Sequence, residues 1–129
     1  MEHDFILTDT HTHVYYLAGT ERLGEQMSRC FEKGIQRLFL PNVDTDSISQ
    51  VLETVKRYPK NCFPMMGLHP CSVKENYKTE LDIIRSILAE HPCYAIGEIG
   101  IDLYWDKTTL DIQIKAFEKQ IDWAIERDL

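Results

Sequence analysis

Phe5-Ile6-Leu7-Thr8-Asp9-Thr10-His11-Thr12-His13 is the stretch from which the rest of the chain is read. Residues 5–8 are apolar or β-branched, the composition of a short buried strand. Successive strand side chains point to opposite faces, so residues i and i+2 share one. Where the extended conformation continues, His11 and His13 point the same way from the carboxyl end of the strand. Two imidazoles held side by side on a rigid element suit a divalent cation, because neutral imidazole is the commonest protein metal ligand and the strand has already ordered it. His-x-His alone equally fits two solvated loop histidines. Context favours the first reading: a long βα alternation follows, with a second loaded strand end at Gly97-Glu98.

Working outward, residues 14–19 read as a loop. Over residues 20–33, Leu23, Met27, Cys30 and Phe31 fall at i, i+4, i+7 and i+8, one face of a helix that Gly34 terminates. Residues 37–40 make a second strand, closed by Pro41-Asn42. A second helix takes its N-cap from residues 44–46, carries Ile48, Val51, Leu52 and Val55, and stops before Pro59. Residues 62–67 form a third strand, which Pro64 weakens. Thr79 with Asp82 resembles a capping box for a third helix bearing Leu81, Ile84, Ile87 and Leu88. Residues 94–97 are the fourth strand. A last helix starts at Thr108 or Thr109 and places Leu110, Ile114, Phe117, Ile121 and Ile125 inward. This β-α-β-α-β-α-β-α order is α/β and predicts a parallel sheet with right-handed crossovers. A flavodoxin-like open sheet and half of a (β/α)8 barrel both satisfy it, and both place their sites at carboxyl strand ends.

The chain has 129 residues, 43% hydrophobic and 27% charged, and reads as one domain, 1–129, with a single core. A net charge of −7 argues against a broad basic surface for non-specific nucleic-acid binding, without excluding an enzyme that meets phosphates through metal ions. Cys30, Cys62, Cys71 and Cys93 include no Cys-x-x-Cys pair, which predicts free thiols in a reducing compartment; Cys30, Cys62 and Cys93 read as buried. There is no basic, apolar leader and no run long enough to span a membrane, so the expected location is the cytoplasm. His3 reads as solvated.

Glu98 sits between small residues, in Gly97-Glu98-Ile99-Gly100, where the backbone can approach another element closely. A carboxylate there can bridge two divalent ions about 3.5–4 Å apart. A turn glutamate paired with a lysine or arginine fits the spacing equally well. His69, fixed in extended structure by Pro70, can hold a substrate phosphate, and can as well be satisfied by backbone groups. Asp102 can orient a histidine ligand from behind, or serve as a loop acid. No Gly-rich phosphate loop and no nucleophile elbow is present.

Together Asp9-Thr10-His11-Thr12-His13, Gly67-Leu68-His69-Pro70 and Gly97-Glu98-Ile99-Gly100-Ile101-Asp102 resemble the TatD family of metal-dependent hydrolases. Ile101 stands where that family more often has Leu. The resemblance implies a (β/α)8 barrel of which this chain covers about the first four βα units. It implies one or two divalent ions (Mg, Mn or Zn), with His11 and His13 as ligands, Glu98 as bridging ligand and catalytic carboxylate, and His69 at the substrate phosphate. It implies hydrolysis of phosphodiester bonds in DNA or a related substrate, as a deoxyribonuclease of exonuclease type. The family's further histidine ligands and an aspartate base lie beyond Leu129. A complete barrel takes about 250 residues, so four units leave open edges through which copies can self-associate. Two other readings use the same residues. One is an amidohydrolase, deaminase or PHP-type phosphoesterase with the same metal site. The other is an inactive fragment needing a partner to complete the barrel.

Overall fold

The computed structural model describes residues 4–129; His3 lies outside the described residues. Four short parallel strands alternate with four α-helices: β1 (Leu7–Asp9), α1 (Glu21–Glu32), β2 (Ile35–Pro41), α2 (Ile48–Arg57), β3 (Cys62–Met66), α3 (Tyr77–Glu90), β4 (Ala95–Ile96) and α4 (Leu110–Arg127). Short 3-10 turns at Val14–Leu17 and Pro70–Ser72 follow β1 and β3. The sheet runs β1-β2-β3-β4, every neighbouring pair parallel. Strand order equal to chain order separates the two architectures left open by the sequence. A flavodoxin-like sheet reverses its winding after the first strand, whereas a barrel adds each strand on the same side. The molecule is half of a barrel of the (β/α)8 type.

Period-two alternation sets what each strand face does. Leu38, Leu40, Cys62 and Met66 are buried and join the core formed with Leu23 and Met27 of α1, Val51 of α2 and Ile84 of α3. The alternate residues Phe39 and Phe63 point the other way, meet ring to ring at 5.3 Å, and are joined by Tyr94 at 5.0 Å from Phe63. That second face is the concave side of the half-barrel, and it is only partly covered. Pro64 is accommodated inside β3, opposite Leu40, and its carbonyl accepts from the N–H of Tyr94 at 3.0 Å.

Five expectations need correction. The N-cap of α2 is Ser47, one residue beyond the 44–46 expected for it. Residues 5–8 are exposed, not buried: Phe5 and Ile6 lie ahead of β1, and Leu7 and Thr8 sit on an edge strand with β2 on one side only. Thr79 does not cap α3; the helix begins at Tyr77, with the N-cap at Asn76, three residues before Thr79. Cys93 is half-buried rather than buried and lies ahead of β4. The largest correction concerns α4, whose buried residues are Gln113, Ala116, Gln120 and Trp123. Leu110, Ile114 and Ile121 are exposed, Phe117 is half-buried, and Ile125 is 74% exposed. The apolar stripe read as inward therefore faces away from this half-barrel's core. A hydrophobic stripe in the sequence marks a face of the helix; it does not say what packs on it.

Among the described residues, no helix is long and apolar enough to cross a membrane.

Candidate metal centre at the strand ends

The ends of β1, β3 and β4 converge on one carboxylate. β1 stops at Asp9, whose carboxylate accepts the N–H of His11 at 3.1 Å, and the chain bends. Thr12 still donates its N–H to the Phe39 carbonyl at 3.1 Å, so the segment stays against β2. His11 and His13 keep a common direction through the bend, with their Nε2 atoms 3.3 Å apart. Oε2 of Glu98 lies 3.2 Å from His11 Nε2 and 3.4 Å from His13 Nε2. Its other oxygen lies 3.3 Å from His69 Nε2.

Close backbone packing carries Glu98 there. A Cβ on Gly67 would sit 2.7 Å from the carbonyl carbon of Gly97, so only glycine lets the ends of β3 and β4 meet at this point. Asn42, fully buried, then ties three strand ends together. Its carbonyl accepts the N–H of Glu98 at 3.0 Å, its own N–H reaches Met65 O at 3.1 Å, and its side-chain amide donates to Gly67 O at 3.1 Å.

Proton accounting fixes which histidine nitrogens carry lone pairs. The Tyr15 hydroxyl has one proton, and its 2.7 Å contact with the carbonyl of Pro41, which can only accept, takes it. The 2.8 Å contact between Tyr15 Oη and His13 Nδ1 must then be donated by the histidine. His13 Nε2 is left with its lone pair toward Glu98. His69 has the opposite tautomer: its Nδ1 accepts the N–H of Cys71 at 3.0 Å, so its Nε2 carries a hydrogen toward Glu98 Oε1. His13 thus presents a lone pair to the Glu98 carboxylate, and His69 an N–H. Burial lowers the pKa of His13 below 6.5, with His11 and His69 adding to the effect and Glu98 opposing it, which favours the neutral form that ligation needs.

A cation fits between these atoms. His11 Nε2, His13 Nε2 and Glu98 Oε2 form a triangle of candidate ligand atoms with edges of 3.2–3.4 Å. Ligands at the usual 2.0–2.1 Å from a tetrahedral centre stand roughly 3.3–3.4 Å apart. Without a positive charge at its middle, the His13 lone pair faces a carboxylate oxygen.

Of the five residues singled out from the sequence, His11, His13, His69 and Glu98 meet here. Asp102 lines the same cleft of about 380 Å³. Its carboxylate accepts the N–H of Tyr104 at 2.9 Å and, after burial, helps to raise the pKa of the Cys71 thiol; among the described residues no hydrogen bond joins it to a histidine. Three positioning groups escaped the sequence reading: Tyr15, Asn42 and the pair Gln113/Gln120. Gln113 grips the Asp102 peptide from both sides, at 2.8 and 2.9 Å, and Gln120 takes the N–H of Leu68, next to His69, at 2.7 Å. The signal for the glutamines was a second stripe on α4, Gln113-Ala116-Gln120-Trp123, which hydropathy alone assigns to the wet face. For Tyr15 and Asn42 no comparable pattern exists.

Parallel βα units with a His/His/Glu cluster at their carboxyl ends define a class, (β/α)-barrel proteins with a candidate metal centre at the strand ends. The chain belongs to the family described as TatD related DNase, whose model matches residues 8–129. It is 30% identical over 124 residues to the uncharacterized metal-dependent hydrolase YabD of Bacillus subtilis, covering 96% of this chain and 48% of that protein. It is 28% identical over 100 residues to the 3'-5' ssDNA/RNA exonuclease TatD of Salmonella typhimurium, covering 78% of this chain and 38% of that one. The fold matches the crystal structure of YjjV, a TatD homologue from Escherichia coli, with a TM-score of 0.85 at 24% identity, over 95% of this chain and 48% of that one. The chain thus spans about half the length of the relatives it matches.

Proposed function

We propose that residues 1–129 supply the N-terminal, metal-holding half of a TatD-type hydrolase acting on phosphodiester bonds, most simply those of DNA. The observation that carries this reading is the division of labour around Glu98: His11 Nε2 and the His13 lone pair at one carboxylate oxygen, the His69 N–H at the other. His11, His13 and Glu98 hold the cation, and Glu98 is the catalytic carboxylate. His69, with Nε2–H directed into the cleft, holds a phosphate oxygen of the substrate. A divalent ion bound there supplies Lewis acidity toward a phosphoryl oxygen and an activated water near neutral pH. Asp102 keeps the β4–α4 turn in place through Tyr104 rather than touching the reacting atoms. Relatives named as metal-dependent hydrolases and as an ssDNA/RNA exonuclease support the substrate class. The four unpaired thiols support a reducing compartment, the cytoplasm. The exposed α4 stripe and the edges at β1 and β4 are the surfaces on which further βα units or a second copy would pack.

The test is metal-dependent binding of thymidine 5'-monophosphate by the chain, followed by calorimetry with Mg, Mn and Zn compared. Binding that needs the ion, disappears with chelator and weakens in His69→Ala is expected. Nucleotide affinity indifferent to both chelator and His69 would refute the reading.

A further inference from the structure

Trp105 and Tyr104 are 80% and 79% exposed and meet edge to face at 4.8 Å. Large rings left in water are costly, and these lie on a braced turn rather than a slack loop. Gln113 holds the Asp102 peptide, Asp102 takes the N–H of Tyr104, and Asp106 takes both the N–H and the hydroxyl of Thr108, at 2.8 and 2.6 Å. Trp105 lines the same cleft as His13, His69 and Glu98. So does Tyr16, 53% exposed, which stacks on His13 at 5.5 Å with an interplanar angle of 15°.

The charges point the same way. Among the described residues lining this cleft there is no lysine or arginine. The basic side chains Lys78, Arg85, Lys115 and Lys119 gather instead in a groove between α3 and α4, which shares no lining residue with the cleft. With a net charge of −7, the chain offers the substrate strand little counterion release at the site. What the cleft does offer beyond His69 and a cation is aromatic surface.

We infer that Trp105, with Tyr16, is a stacking platform for an unpaired nucleobase beside the Glu98 site. The inference rests on the phosphodiester reading of that site. A base inside a duplex has both faces covered by its neighbours, so a ring platform engages only an unstacked base.

The chain contains two tryptophans, and Trp123 is 2% exposed, so a contact-dependent change in emission reports Trp105. The experiment titrates the full chain, with Mn present, with a short single-stranded oligothymidylate, with its abasic analogue of equal phosphate number, and with a duplex of equal length. Expected are quenching by the oligothymidylate and affinity for the abasic strand and the duplex lower by on the order of tenfold or more. Trp105→Ala should weaken binding by a similar factor and Trp105→Phe should keep most of it. Expected too is a salt slope shallower than the ~0.7 per phosphate of charge-driven single-strand binding. Equal affinity for base-bearing and abasic strands, or an unaffected Trp105→Ala variant, overturns the platform. A metal titration without oligonucleotide reports separately on the Glu98 site, so that reading can stand or fall by itself.

Discussion

Replacing Tyr15 by Phe removes one oxygen and should show in two independent readouts. Tyr15 is fully buried, and its hydroxyl serves Pro41 O at 2.7 Å and His13 Nδ1 at 2.8 Å. The phenylalanine ring fills nearly the same space, so the cavity cost is small. The Pro41 carbonyl, however, is left buried without its partner, at about 1–3 kcal/mol. His13 is partly exposed, and water can take over its Nδ1–H, so the second loss is smaller. A net cost of about 2 kcal/mol corresponds to a melting temperature lower by very roughly 8 °C for a domain of this size. Metal affinity should fall as well, by about 10–100-fold, because the group that fixes the ligand tautomer and ring orientation is gone. Thermal melts without metal and calorimetric titration with Zn separate the two effects. A lowered melting temperature with unchanged metal affinity would refute the tautomer argument and leave Tyr15 a packing residue only.

Gln120→Ala strands the N–H of Leu68 and should cost about 2 kcal/mol in urea melts, with nucleotide affinity reduced through His69 more than metal affinity is. In the metal-free chain, His13 has a pKa below its unfolded value of 6.5. Between those two values the unfolded chain binds the extra proton, so this contribution makes stability rise with pH and level off above about 6.5. Urea melts from pH 5 to 7.5 should therefore be flatter in His13→Asn than in the parent. Ile125→Lys should change stability by no more than about 0.5 kcal/mol, whereas Ala116→Leu, at a fully buried position, should cost about 1–3 kcal/mol; the reverse order in melts would return the apolar stripe to the core.

Local chemistry was legible in the sequence wherever one residue acts through its own type and spacing. His11 and His13 at i and i+2, Glu98 between glycines and His69 before Pro70 each admitted a site reading and a bland one, and the structure brings the four side chains together. The helices α1 and α2 read well because their apolar stripes do face this core. The stripe of α4 misled because hydropathy marks a face without naming its cover, and two buried glutamines with full hydrogen bonding outcompete it for the inside. Strand order was invisible too: local pattern cannot tell a sheet wound one way from one wound both ways. Tyr15 and Asn42 were missed because their work is done through backbone carbonyls 26 and 25 residues away, contacts that no local pattern encodes.

The central claim is that Glu98 completes a cation site with His11 and His13, and Glu98→Gln tests it most directly. The substitution keeps the size of the side chain and leaves an acceptor for His69, while removing the negative charge from the donor triangle. Calorimetric Zn titration should show binding lost or strongly weakened. Melts without metal should show an unchanged or higher melting temperature, since an unneutralised carboxylate facing a histidine lone pair is costly. Unchanged metal stoichiometry and affinity, together with a lower metal-free melting temperature, would contradict the claim and make Glu98 a structural hydrogen-bond acceptor for the histidines around it.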